Sequence, residues 1–165
     1  AGGVVVERGI LVGTSPFDGS NYPTEVTVSS SLGDVRISKR LQALPHGDIR
    51  VSAGGTATLD ARTLAGWSTG PFPPGYPNST AQIRVSASTV VMDGVFATTD
   101  GIIEAAASGN LTAGGEFRAA PDGCIALTAG GTLDTSAATF DLALSGDCPG
   151  SPSGAFLETS ATLVE

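Results

Sequence analysis

The chain has 165 residues and a net charge of −8, from 8 Lys and Arg against 16 Asp and Glu. That length holds one domain with a real core, and the acidity leaves no basic stripe to displace counterions from phosphate, which argues against a nucleic-acid binder. No apolar run approaches the roughly 20 residues of a membrane helix; Val, Ala, Leu and Ile carry the hydrophobic content, and aromatics make up 5%.

Ala1 opens the chain without Met, as a mature product cut after a small residue would. Val4–Val6 and Ile10–Val12, flanking Gly9, are the first strand candidates, and their apolar character makes Val4, Val5, Val6, Ile10 and Val12 candidates for pairing with another chain. A Pro-containing stretch with Phe17 and Tyr22 follows. Thr24–Ser29 alternates as Thr-Glu-Val-Thr-Val-Ser and Val35–Ser38 does the same, the period of a half-buried strand.

His46, the sole histidine, sits in Leu44-Pro45-His46-Gly47-Asp48. A triad would use Asp48 as its orienter, yet no nucleophile turn of the Gly-x-Ser-x-Gly type is present. A histidine in a Pro/Gly turn is expected to be solvated, and no catalytic residue is assigned. Strands are expected at Ile49–Ser52 and Thr56–Ala61. An insertion at 66–80 then carries Trp67, Phe72 and Tyr76 among prolines that stiffen it. These rings, with Phe17 and Tyr22, would contact a surface glycan or a partner; alternatively they fold back over a flank of the domain.

Gln82–Ser86 and Thr89–Met92 are the next strands. Thr98-Thr99-Asp100-Gly101 resembles a fragment of the polygalacturonase pattern, but the second acid, the Gly-His-Gly and the Arg-x-Lys are missing, so Asp100 is expected to be a turn residue. Gly101–Ser108 has some helical character and is assigned to a strand because Ile102 and Ile103 fall within the repeat. Ile125–Thr128, Thr139–Leu144 and Phe156–Val164 complete the set, the last two separated by a linker at 149–154; Phe156 and Leu163 are further candidate assembly residues. Cys124 and Cys148, each beside turn residues, are expected to form a disulfide, which places the protein outside a reducing cytosol. Asn78 and Asn110 open glycosylation sequons. No cofactor or metal is expected, since no cluster has ligand spacing.

One phrase recurs along this order. A β-type run ends in Ala53-Gly54-Gly55-Thr56 and again in Ala129-Gly130-Gly131-Thr132, with altered copies at Ala87-Ser88-Thr89 and Ala113-Gly114-Gly115. As a hairpin turn it would build an antiparallel sandwich. As a corner between strands it would build a parallel β-helix. Spacing favours the second. Ile83 to Ile103 is 20 residues, Ile103 to Ile125 is 22, and Ile49 to Ile83 is 34, of which about 14 are the insertion. Ala53 to Ala113, at 60, makes three such periods.

Ser52–Ala61 and Thr128–Asp134 resemble the repeats of filamentous-haemagglutinin-type right-handed β-helices, over residues 47–145. The resemblance implies a right-handed solenoid with rungs of about 20 residues and a secreted or surface-displayed, adhesive role. The chain departs from that family in size, in irregular rungs and in lacking Asn-Pro-Asn-Gly, so its transport route does not carry over. The expectation is a single all-β domain, extracellular and non-catalytic, that joins copies of itself into a fibre or surface layer by terminal strand addition. A carbohydrate-binding module using Trp67–Tyr76 is the rival reading.

Overall fold

The computed structural model describes residues 2–13, 24–44, 47–66, 81–99, 101–120, 123–141 and 156–161. Among these there is no helix, and every strand pairing is parallel. The chain visits two sheets in turn. It begins in a nine-stranded sheet with β1 (Val4–Val6) and β2 (Ile10–Gly13), then enters a six-stranded sheet with β3 (Thr24–Ser30). The same order repeats as β4 (Val35–Ile37), β5 (Leu41–Leu44), then β6 (Gly47–Ala53), β7 (Thr56–Leu59), β8 (Thr63–Ala65) and β9 (Gln82–Ala87). From there single long strands of the nine-stranded sheet, β10 (Thr89–Thr99), β12 (Leu111–Ala120) and β14 (Leu133–Asp141), alternate with β11 (Ile102–Ala107), β13 (Cys124–Ala129) and β15 (Phe156–Ala161). One pass is thus a strand of the smaller sheet followed by two strand segments of the larger.

Alternation along each strand determines which residues are inside. In β3 and β6 every second residue is buried, and parallel register stacks like on like. Val26, Ile49, Ile83, Ile103 and Ile125 form one row across the six-stranded sheet; Val28, Val51, Val85, Ala105 and Leu127 form the next. The isoleucines that mark the repeat therefore pair with one another. In the larger sheet, Val4, Val35, Ala57, Val90, Leu111 and Leu133 share one row, and Ile10, Leu41, Thr63, Phe96, Phe117 and Phe140 another. Phe117 lies between Phe96 and Phe140, with ring centroids 5.0 and 5.4 Å away. A single apolar cluster draws on both sheets. Leu64 and Ala97, which face the other way by alternation, are also buried, but outside that cluster.

The Ala-Gly-Gly phrase is not one structural feature. At 53–55 and 129–131 it lies at the corner where the chain leaves the six-stranded sheet for the nine-stranded one, so it joins strands of different sheets and is no hairpin. Ala113-Gly114-Gly115 is instead inside β12, where Ala113 pairs with Met92, while Ala53 pairs with Ser30. The interval of 60 between Ala53 and Ala113 compares unlike positions. β5 and β8, which alternation in the sequence did not mark, carry the second segment of their passes, and β12, also unmarked, carries both segments of its own. β7 stops at Leu59, short of the expected Ala61, because Asp60–Arg62 form the turn into β8. The insertion at 67–80, the linker at 149–154, and residues 142–144 of the strand expected at Thr139–Leu144 lie outside the described residues.

Candidate functional site at the two sheet ends

Each corner into the nine-stranded sheet is built around a small residue two places before the inward row of Val4. Gly2, Gly33, Gly55, Ser88, Gly109 and Gly131 occupy that column. At two of these corners an acidic or amide side chain of one pass caps the next. The Asp34 carboxylate accepts a hydrogen bond from the Thr56 backbone N–H at 2.7 Å, and the Asn110 side-chain oxygen accepts one from Thr132 N–H at 3.0 Å. Gly55 and Gly131 make room for them, since a β-carbon there would lie 2.2 and 2.5 Å from those oxygens. Passes are therefore joined at the corner by side chains as well as by the sheet ladders.

Each sheet is six levels deep: β1 with β2, β4 with β5, β7 with β8, β10, β12 and β14 in the larger, and β3, β6, β9, β11, β13 and β15 in the smaller. Among the described residues, β1, β2 and β3 are paired on one side only, as are β14 and β15. Val4 N–H donates to the Asp34 carbonyl at 2.8 Å and Ile10 N–H to the Arg40 carbonyl at 2.9 Å. In a parallel ladder alternate residues bond to opposite sides, so the backbone N–H groups of Val5 and Leu11 point to the open edge. Their side chains are 59% and 71% exposed, while Val4, Val6, Ile10 and Val12 pack only partly against the core. At the far end Leu133, Ala138 and Phe140 are likewise half-covered.

The two edges are not alike. The inward anchors of β1 and β2 are six residues apart (Val4 and Ile10), as are Leu111 and Phe117, but Leu133 and Phe140 are seven apart. The extra residue is a bulge: Thr112 pairs with Asp134, whereas Gly114 pairs with Ala137. The Asp134 carboxylate holds it, accepting from Ser136 N–H at 3.0 Å and from the Ser136 hydroxyl at 2.7 Å. Those bonds, the backbone one foremost, keep the Asp134 carboxyl below its ordinary range. Charge also divides along the chain. Residues 1–66 hold six Lys and Arg and six Asp and Glu; residues 67–165 hold two and ten.

Among the described residues, four of the eight cations are in ion pairs on the outer faces: Arg36 with Asp60 at 3.0 Å, Arg84 with Glu104 at 3.2 Å, Arg50 with Asp48 and Glu25, and Arg118 with Glu116. The Asp48 bond, led by its hydrogen bond to the guanidinium, raises the pKa of Arg50. Asp48, weighed as an orienter for His46, is thus engaged by Arg50 through Oδ2. Among the described residues no group of three or more His, Cys, Asp or Glu could hold a metal ion.

Trp67, Phe72, Tyr76, Phe17, Tyr22, His46, Asp100, Asn78, Cys148 and Leu163 lie outside the described residues. Cys124 is buried at the start of β13, and Phe156 opens β15 in register with it. The one-sided end strands were not foreseeable from residue types, because they follow from which strand pairs with which. No family model matches the chain, and no curated protein or solved structure does either.

Proposed function

We propose that the two sheets are faces of a short right-handed parallel β-helix, and that the protein is a non-catalytic, extracellular structural subunit that assembles head to tail by strand addition. The helix reading is supported by the all-parallel ladders and by the row-on-row register of successive passes; its hand follows the general preference of parallel crossovers.

The observation that carries the assembly reading is that, among the described residues, β1, β2 and β3 at one end and β14 and β15 at the other are paired on one side only. Stacked, two copies set β1 and β2 of one against β14 of the other, and β3 against β15. Such a joint is heterologous and does not close on itself, so it propagates. The neutral first 66 residues then meet the acidic remainder, which avoids like-charge repulsion at the joint. A disulfide between Cys124 and Cys148 suits an extracellular site; no free cysteine stands among the described residues.

The test is a Val5→Pro/Leu11→Pro chain. Proline removes only the two N–H groups that face the open edge and is tolerated on edge strands. The native chain should give concentration-dependent oligomers by native mass spectrometry and filaments by electron microscopy; the proline pair should be a folded monomer. Native chains that stay monomeric at high concentration, or proline variants that still elongate, would sink the proposal. The same spectrum reports the disulfide as a chain two hydrogens lighter than its reduced form.

A further inference from the structure

The four cations without an ion pair among the described residues, Arg8, Lys39, Arg40 and Arg62, all fall at one place. They occupy three successive turns between the two halves of the nine-stranded sheet, at residues 7–9, 38–40 and 60–62. Each turn has three residues between registered neighbours: Val6, Ile37 and Leu59 are level on one side, Ile10, Leu41 and Thr63 on the other. Arg40 is therefore level with Arg62, and Arg8 with Lys39. Backbone bonds from Ile10 N–H to the Arg40 carbonyl and from Leu41 N–H to the Arg62 carbonyl fix the turns against each other. All four side chains are exposed. Of the two acidic groups within these turns, Asp60 is engaged by Arg36 and Glu7 is in no ion pair among the described residues, and Asp93, level with Asp60 on the next strand, borders the corner.

In a chain of net charge −8 this leaves a compact positive corner. Its cations recur across the strands at the strand separation of about 4.8 Å. The equivalent turns of the later passes carry Asp93 and Glu116 instead, so the positive run ends there.

We propose that this corner binds an acidic polysaccharide, with one carboxylate or sulfate on each sugar, laid along the stack across the three turns. Such a polymer carries one acidic group per sugar at a rise close to the strand separation, and rotation about its glycosidic bonds lets those groups reach the cations of consecutive turns. Guanidinium groups grip carboxylate and sulfate through paired N–H donors, which suits the three arginines. A nucleic acid would offer phosphates to the same guanidinium groups, and a DNA oligonucleotide in the test separates the two. One turn of the site, at 7–9, joins the edge strands β1 and β2, and the other two lie within the sheet, so the site does not need a second copy.

The experiment is affinity electrophoresis of the full chain in gels holding polygalacturonate or its fully methyl-esterified form, which shares the backbone but lacks the charge. The chain should be retarded by the acid polymer and not by the ester, with retardation fading as salt is raised. Arg40→Glu/Arg62→Glu should weaken binding by at least about tenfold, and Arg40→Gln/Arg62→Gln serves the same comparison if charge reversal disturbs folding. Arg50→Gln/Arg84→Gln, which removes equal charge from the other sheet, should bind as the native chain does. Equal retardation by the ester, binding unchanged in both corner variants, or tighter binding of a DNA oligonucleotide would each overturn the proposal. So would sedimentation showing, without polysaccharide, that the corner variants dissolve a self-association; the corner would then belong to a second copy.

Discussion

At the corner between the sheets, a β-carbon on Gly54 would lie 2.2 Å from the Ser31 carbonyl oxygen, whereas one on Gly55 would lie 2.2 Å from an Asp34 carboxylate oxygen. The first obstacle is backbone of the preceding pass and cannot swing away. The second is the end of a side chain and can, at the loss of its bond to Thr56 N–H. Gly54→Ala should therefore be the costlier change, about 2–4 kcal/mol, and Asp34→Ala about 1 kcal/mol for the lost cap. Gly55→Ala expels the same cap, so Asp34→Ala/Gly55→Ala should cost no more than either single change. Urea denaturation of the four variants checks this; costs that simply add would show that Asp34 and Gly55 are independent. Ala-Gly-Gly stood out in the sequence because of this crowding, but its partner one pass earlier, Gly33-Asp34 or Gly109-Asn110, did not, since the two share only a glycine.

The strands that alternation revealed and those that it missed differ in length and in composition. Thr24–Ser29 and Gln82–Ser86 have one buried and one solvated face, and their period is plain in the residues. β8 has three residues, all buried, and β5 has four, too few to display a period. β12 carries Gly114 and Gly115 in mid-strand, level with Asp93 and Gly94 of β10; Gly115 has φ of +78° and passes close over the Gly94 carbonyl. A sequence reader takes such a pair for a turn, and the structure uses it to keep one long strand bending between two rows. Those rows decide the energetics of the larger sheet. Phe117 is enclosed by rings on both sides, and Phe140 by one. Phe117→Ala should cost about 3–5 kcal/mol, and Phe140→Ala, half-exposed at the edge, clearly less. In the same row Thr63 is fully buried and its hydroxyl has no hydrogen-bond partner among the described residues. Thr63→Val should accordingly stabilise the protein by about 1 kcal/mol. Equal losses at the two phenylalanines, or a destabilised Thr63→Val, would mean that the row is packed differently in solution.

For the whole molecule the question is why an open parallel stack would not elongate without control. Unpaired strand edges are a hazard that bulges and charges restrain. Here the restraint falls on one end only. β1 and β2 are unbulged, with apolar outward side chains, whereas β14 carries the Asp134–Ser136 bulge and an acidic surrounding. A copy arriving through β1 and β2 brings anchors six residues apart to an edge whose anchors are seven apart, so it must either reproduce the bulge or forfeit pairing on one side of it. Deleting Ser136 would restore a spacing of six between the inward positions of Leu133 and Phe140 and remove the donors that hold Asp134 in the turn. The shortened chain should fold, because β12 already spans the same two rows with six, and it should assemble more readily. Its critical concentration should fall by about fivefold if one recovered ladder bond contributes the usual net hydrogen-bond energy of about 1 kcal/mol. Light scattering against concentration, with electron microscopy of the products, measures that directly. A folded deletion variant with an unchanged critical concentration would show that β14 is not the edge onto which copies add, and would move the joint elsewhere on the molecule.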